Sequence, residues 1–157
     1  MVFRLVSILV PTLLFIALPR LFRAKTRYIW LLGIACATFF VSWYLPSPRI
    51  DGQETQFVTH FVGGGIFTGL LWLYIKLVKK WQSSWWLEAT SLYALVCLLG
   101  VTNELFELFL FKTGHMPSGI GDTSWDLLAN TLGAGVFFGL YLLAKRIQVH
   151  LRRNRNS

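Results

Sequence analysis

The sequence predicts an all-α membrane protein, a polytopic bundle of about five transmembrane helices with its amino terminus outside and its carboxyl terminus inside. Three observations predict it. Hydrophobic residues make up 55% of the chain and charged residues only 14%, against about 45–50% and about 25% in soluble domains. The apolar residues fall in runs of bilayer length, and Lys and Arg gather in the connections on one side of those runs.

A bilayer core roughly 30 Å thick needs about 20 mainly apolar helical residues, because an unpaired backbone group in lipid costs several kcal/mol. Five segments meet this condition: 2–19, 28–45, 57–78, 87–111 and 124–144. The first is the shortest in apolar content, carrying Arg4 near its start and Pro11 within it. Its charged start and apolar run resemble a signal peptide, but no small-x-small cleavage motif follows, so it reads as an uncleaved anchor. Of the 15 Lys and Arg residues, only Arg4, Arg49 and Lys112 fall on one side. The others lie at 20–27, 76–80 and 145–155, which the positive-inside rule assigns to the cytoplasm. Trp30, Trp81, Trp85 and Trp86 near one boundary, and Trp43, Tyr44 and Trp125 near the other, resemble the two interfacial aromatic belts.

No linker or low-complexity tract divides the chain, so residues 1–157 read as a single transmembrane domain with a basic cytoplasmic tail at 146–157. The net charge of +8 lies in clusters between apolar runs, where cytoplasmic retention accounts for it. Nucleic acid is therefore not an expected partner; the lipid bilayer is. Cys36 and Cys97 lie inside apolar stretches and read as small packing residues. Glu88 sits at the start of the fourth helix, where the helix dipole favours a carboxylate.

Subtracting the flanks leaves His60 on the third helix, Asn103, Glu104 and Glu107 on the fourth, and Asp126 and Asn130 on the fifth, with Asp122 just before it. Ionisable groups in hydrocarbon are costly and face the bundle interior or a wet cavity, which makes these the pocket and ligand-binding candidates. At 1.5 Å of rise per residue, His60, Glu107 and Asp126 lie within about 6 Å of the outer helix ends, and Glu104 and Asn130 about 10 Å in. Asp122, Asp126 and Asn130 recur at i, i+4, i+8, and Asn103 and Glu107 are four apart, so each set can share a face. The expectation is one polar pocket opening toward the extracytoplasmic side.

Gly65 and Gly69 on the third helix and Gly135 and Gly139 on the fifth form small-xxx-small pairs that let membrane helices approach closely. If Gly65 packs near Gly135, His60 and Asn130 lie level. Four acids against His60 repel one another, so the pocket needs shared protons, a cationic ligand or a divalent cation. Glu104, Glu107, Asp126 and His60 suit Mg²⁺, Ca²⁺ or Zn²⁺ as oxygen and imidazole donors, although no cofactor is specified by them. A polar network serving structure alone is the competing reading. The loop from Lys112 to Thr123 is rich in turn residues and overhangs the pocket, with His115 as a further candidate acid, base or ligand.

These residues carry a resemblance. Thr59-His60-Phe61, then Glu104 and Glu107, then Trp125-Asp126-Leu127-Leu128-Ala129-Asn130-Thr131-Leu132-Gly133-Ala134 resemble the pattern of the VanZ-like family of small bacterial membrane proteins, over about residues 51–144. The chain departs from that pattern at Gln56, where the family has an acid, at Glu107, where it has Gln, and in lacking an arginine at 113–121. The resemblance implies a multi-pass protein of the bacterial cytoplasmic membrane with an envelope function linked to glycopeptide antibiotic resistance, particularly to teicoplanin, and no defined biochemical activity.

Three function classes follow. The first is an envelope protein whose acidic pocket binds a lipid-linked or cell-wall precursor ligand. The second is a metal-assisted enzyme acting on a lipid head group, with His60 as general acid or base. The third, a proton-coupled carrier, lacks matching acids in the inner half and the inverted repeat that many carriers have.

Overall fold

The computed structural model describes residues 2–22, 28–50, 53–115 and 123–155. Five helices lie among them: α1 (Val2–Leu21), α2 (Ile29–Ser42), α3 (Phe57–Val78), α4 (Trp85–Lys112) and α5 (Thr123–Arg155). Three of the five, α3, α4 and α5, are long and apolar enough to cross a membrane. The outward surfaces of α4 and α5 carry exposed apolar side chains such as Leu98, Leu105 and Leu140, as helices bathed in lipid do.

The expected second span, 28–45, is the main departure. α2 has 14 residues, about 21 Å of helix, which is short of a bilayer core. Pro46 and Pro48 follow it closely, and the residue before a proline is driven out of the helical region. The chain then makes a two-residue antiparallel ladder, Arg49 opposite Glu54 and Ile50 opposite Gln53. Pro48 O accepts hydrogen bonds from Thr55 N at 3.0 Å and Thr55 Oγ1 at 2.9 Å. Ser47 Oγ accepts from Val58 N at 3.0 Å, satisfying one of the donors that a helix start leaves open.

α3 is not α-helical throughout. From His60 to Ile66 it widens into a π-helical segment containing Gly63, Gly64 and Gly65, a distortion frequent at functional sites. α3 and α4 end alike. Beyond Val78, Lys80 has a left-handed φ of 51°, Lys80 N bonds Leu77 O and Trp81 N bonds Lys76 O. Beyond Lys112, Gly114 has φ 74°, Gly114 N bonds Phe111 O and His115 N bonds Leu110 O. Both are Schellman caps, which occupy carbonyls that would otherwise be left without donors.

α5 outruns its expected end at 144 and continues to Arg155, 33 residues in all. The basic segment that follows the span has no Gly or Pro and is mostly Lys, Arg, Gln and Leu, which are good helix formers. What reads as a tail is thus a helical extension.

Two apolar clusters hold the bundle. Leu31, Leu32 and Ala35 of α2 pack on Phe67, Leu71 and Tyr74 of α3, flanked by Leu14, Phe15 and Leu18 of α1. Trp72 of α3 packs with Leu92 and Val96 of α4 and Ala134 of α5. Between them α3 and α5 touch backbone to backbone. A Cβ on Gly65 would stand 2.5 Å from Asn130 O and 2.7 Å from Ala134 N, and one on Gly133 would fall on Phe61 O. Gly69 faces Phe137. The expected partner of Gly65 is therefore corrected: it is Gly133, whereas Gly135 and Gly139 are exposed with open space where a Cβ would be. The reason is angular, since Gly133 lies seven residues after Asp126 and shares its face, while Gly135 is turned well away from it.

Gly65→Ala should consequently destabilise the protein by about 1–3 kcal/mol, whereas Gly135→Ala should be neutral or slightly stabilising, because Ala is the better helix former. Thermal unfolding of the two variants in detergent checks the contrast; equal effects would contradict the Gly65–Gly133 contact.

Candidate functional site

The π-helical turn and the Gly65–Gly133 contact set the positions of the polar side chains. His60 opens the π turn and points toward the first turn of α5, where its Nε2 lies 3.5 Å from Asp126 Oδ1. Glu104 joins them from α4, so that one donor atom from each of His60, Glu104 and Asp126 lies within 4.8 Å of the others. Asp126 is buried and the other two are half-buried. Three helices thus contribute one group each to a single cluster.

Asn130 lies one turn along α5 from Asp126 and is buried at 4% exposure. Two glycines make room for its carboxamide. A Cβ on Gly64 would fall on its oxygen, and one on Gly100 of α4 would stand 3.2 Å from Nδ2. Gly100 was not among the glycines the sequence singles out, because it lacks a small-xxx-small partner. Asn103 and Glu107 form a separate pair, Asn103 Nδ2 donating to Glu107 Oε1 at 2.8 Å, as residues four apart on a helix face can. His60, Asn103, Glu107 and Asn130 all line one cavity of about 330 Å³, closed on its apolar sides by Phe39, Phe67 and Phe106. Glu104 and Glu107 therefore have different neighbours: Glu104 joins His60 and Asp126, and Glu107 pairs with Asn103.

Asp122, and with it the loop from Met116 onward, lies outside the described residues. His115 is exposed, its ring bonded to Thr113 Oγ1 at 3.0 Å, and it does not line the cavity. The cluster has two carboxyl groups and one imidazole. It can hold a shared proton, accept hydrogen bonds from a cationic or donor-rich ligand, or offer three donor atoms to a divalent ion.

A second polar centre lies at the other end of the bundle, where sequence reasoning saw only a dipole-favoured carboxylate. Glu88 is buried at 1% exposure. Its Oε1 accepts from Lys76 Nζ at 2.6 Å and lies 3.4 Å from Lys145 Nζ, and its Oε2 accepts from Tyr141 Oη at 3.1 Å. Lys76 also donates to Trp81 O at 3.0 Å. Beside this centre the Trp72 indole donates to Ser91 Oγ at 2.8 Å and meets the Phe138 and Tyr141 rings edge-on. One carboxylate thus joins α3, α4 and α5. The signal in the sequence is Lys76, a charge set two residues before the end of the apolar run that closes α3.

Removing one partner of a buried ion pair leaves the other uncompensated. Glu88→Gln should therefore lower stability by about 3 kcal/mol or more, whereas the double change Lys76→Met with Glu88→Leu should recover most of that loss. Detergent unfolding measurements on the two variants test the role; equal losses would mean that Glu88 acts through something other than Lys76. No protein-family model, no curated protein and no solved structure matches this chain.

Proposed function

We propose that the chain is a multi-pass protein of a bacterial cytoplasmic membrane, amino terminus outside and carboxyl terminus inside, whose polar pocket binds a lipid-linked or cell-wall-related ligand at the envelope face. The observation that carries this reading is the meeting of His60, Glu104 and Asp126 from three helices within 4.8 Å. Each of these groups is costly in hydrocarbon, and a chain that keeps all three together retains them for use.

The adjoining cavity of about 330 Å³ is at the small end of ligand sites, which run from about 300 to 1,000 Å³. That volume suits a head group rather than a whole lipid. Its walls are mostly aromatic and aliphatic, with His60, Asn103, Glu107 and Asn130 as the polar exceptions, the usual composition of a site that orients a ligand through a few hydrogen bonds. Two carboxyl groups against one imidazole favour a head group bearing an amine or several donors. The distribution of Lys and Arg supports an outward-facing pocket, and the resemblance of residues 51–144 to VanZ-like proteins supports an envelope role.

The test is antibiotic sensitivity of a bacterial strain producing the protein. Wild-type chain should change sensitivity to teicoplanin-type glycopeptides, and Glu104→Ala, Asp126→Ala and His60→Ala should each abolish the change at unaltered membrane levels. Variants as active as wild type would refute the role of the pocket.

A metal-assisted reaction on a lipid head group is a second reading, favoured by the 3.5 Å between His60 Nε2 and Asp126 Oδ1. Ligands bound at about 2.1 Å stand roughly 3–3.5 Å apart, so His60 and Asp126 already have the separation of neighbouring ligands and Glu104 needs only a small side-chain adjustment. Here the expected result is about one equivalent of divalent metal in the purified protein, lost in Glu104→Gln. A metal-free preparation that takes up none of Mg²⁺, Mn²⁺ or Zn²⁺ on titration would end this version.

A further inference from the structure

α5 is about 50 Å long at 1.5 Å per residue, while the hydrocarbon core of a bilayer is roughly 30 Å thick. Its residues past 144 therefore add about 16 Å of helix beyond the apolar span. Along that extension Leu142, Arg146, Val149, His150 and Arg153 fall at i, i+4, i+7, i+8 and i+11, which is one face. Trp85, from the first turn of α4, stands across from them. Together with Lys145 they enclose an open groove of about 630 Å³, a different feature from the His60 cavity and lined by none of the same residues.

The charge in this groove is one-sided. No Asp or Glu follows Asp126 in the sequence, and among the described residues the nearby carboxylate, Glu88, is engaged by Lys76 and Lys145. Arg146 and Arg153 have no ion-pair partner among the described residues. Two guanidinium groups and an imidazole thus share a face with Leu142 and Val149, which offer apolar surface to an alkyl chain. At the mouth the Trp85 and Trp86 rings stack with centroids 3.6 Å apart and remain 49% and 65% exposed. Indoles of this kind prefer the glycerol and head-group level of a bilayer.

We propose that this groove binds an anionic phospholipid, its phosphate held by Arg146, His150 and Arg153, its glycerol region against Trp85 and its upper acyl chain along Leu142 and Val149. The inference rests on the chain being embedded in a bilayer, and is independent of what the His60 pocket binds. Arginine is suited to the task because its planar fork donates two parallel hydrogen bonds to one phosphate. A soluble polyanion is the weaker fit, because the groove begins where the apolar span ends and continues directly from its apolar surface.

The experiment is native mass spectrometry of the full-length protein in detergent, titrated with dioleoyl phosphatidylglycerol and, separately, dioleoyl phosphatidylcholine. Wild type should bind the anionic lipid preferentially. The double variant Arg146→Gln with Arg153→Gln should bind it at least about ten-fold more weakly, as the loss of charge-assisted hydrogen bonds to one phosphate implies. Arg152→Gln with Arg155→Gln removes the same charge outside the groove and should stay within about two-fold of wild type, because exposed charges that do not touch the phosphate are screened by salt. Val149→Trp, which fills the groove without changing its charge, should also lose the preference.

Equal losses in the two arginine pairs would overturn the proposal in favour of diffuse charge attraction. A wild-type protein that does not distinguish the two lipids would overturn it as well. Extraction of the chain from membranes by alkaline carbonate separates the failure of this site from failure of the membrane reading itself.

Discussion

The close approach of α3 and α5 at Gly65 and Gly133 is the contact on which the rest of the arrangement depends. Lipid tails are as apolar as leucine, so helices in a bilayer gain little from hiding apolar surface and associate where they can pack tightly. With no side chain on either residue, the backbones meet directly. That contact brings the start of α3 against the start of α5, and with it His60 against Asp126. The π-helical turn that houses the glycines shifts the aim of the residues before it relative to those after it. Asn130 then fits between Gly64 and Gly100, and α4 closes the site with Glu104.

The bundle carries two polar centres of opposite electrical character. Around Glu88 there is one carboxylate with two ammonium groups and a phenol, so every charge has a counter-charge or a donor beside it. Such a centre fixes geometry, its buried carboxylate fully engaged by donors from α3 and α5. Around His60 there are two carboxyl groups and a single imidazole, next to a cavity. The second centre holds more carboxyl groups than bases and borders a cavity, which makes it a candidate for chemistry or binding, while the first is a joint between helices.

Much of this was readable from the amino acids, and the rest was hidden for identifiable reasons. Apolar runs gave α3 and α4 to within a residue or two, because lipid imposes both length and composition. Counting rise along the helices put His60, Glu107 and Asp126 at one level with Glu104 deeper, whereas it is Glu104 that joins His60 and Asp126 while Glu107 turns to Asn103. The glycine face was misjudged on α5 because the spacing of Gly135 and Gly139 is conspicuous, whereas Gly133 is identified only by its seven-residue offset from Asp126. The π turn leaves no periodic mark, since it changes the count of residues per turn over a single short stretch. Glu88 and Lys76 are 12 residues apart across a tight reversal, and neither residue's local pattern points to the other. The shortness of α2 was signalled by Pro46 and Pro48 but outweighed by the apolar residues around them.

One consequence concerns movement along the bilayer normal. α5 carries Asp126 in its first turn and Arg152, Arg153 and Arg155 in its last, each at the pole that the helix dipole favours. In a bilayer, sliding the rod outward would bring Lys145 and Arg146, which directly follow the apolar span, toward hydrocarbon, and sliding it either way would part Asp126 from His60 and Tyr141 from Glu88. The helix is held along its axis at two levels, so it cannot act as a piston.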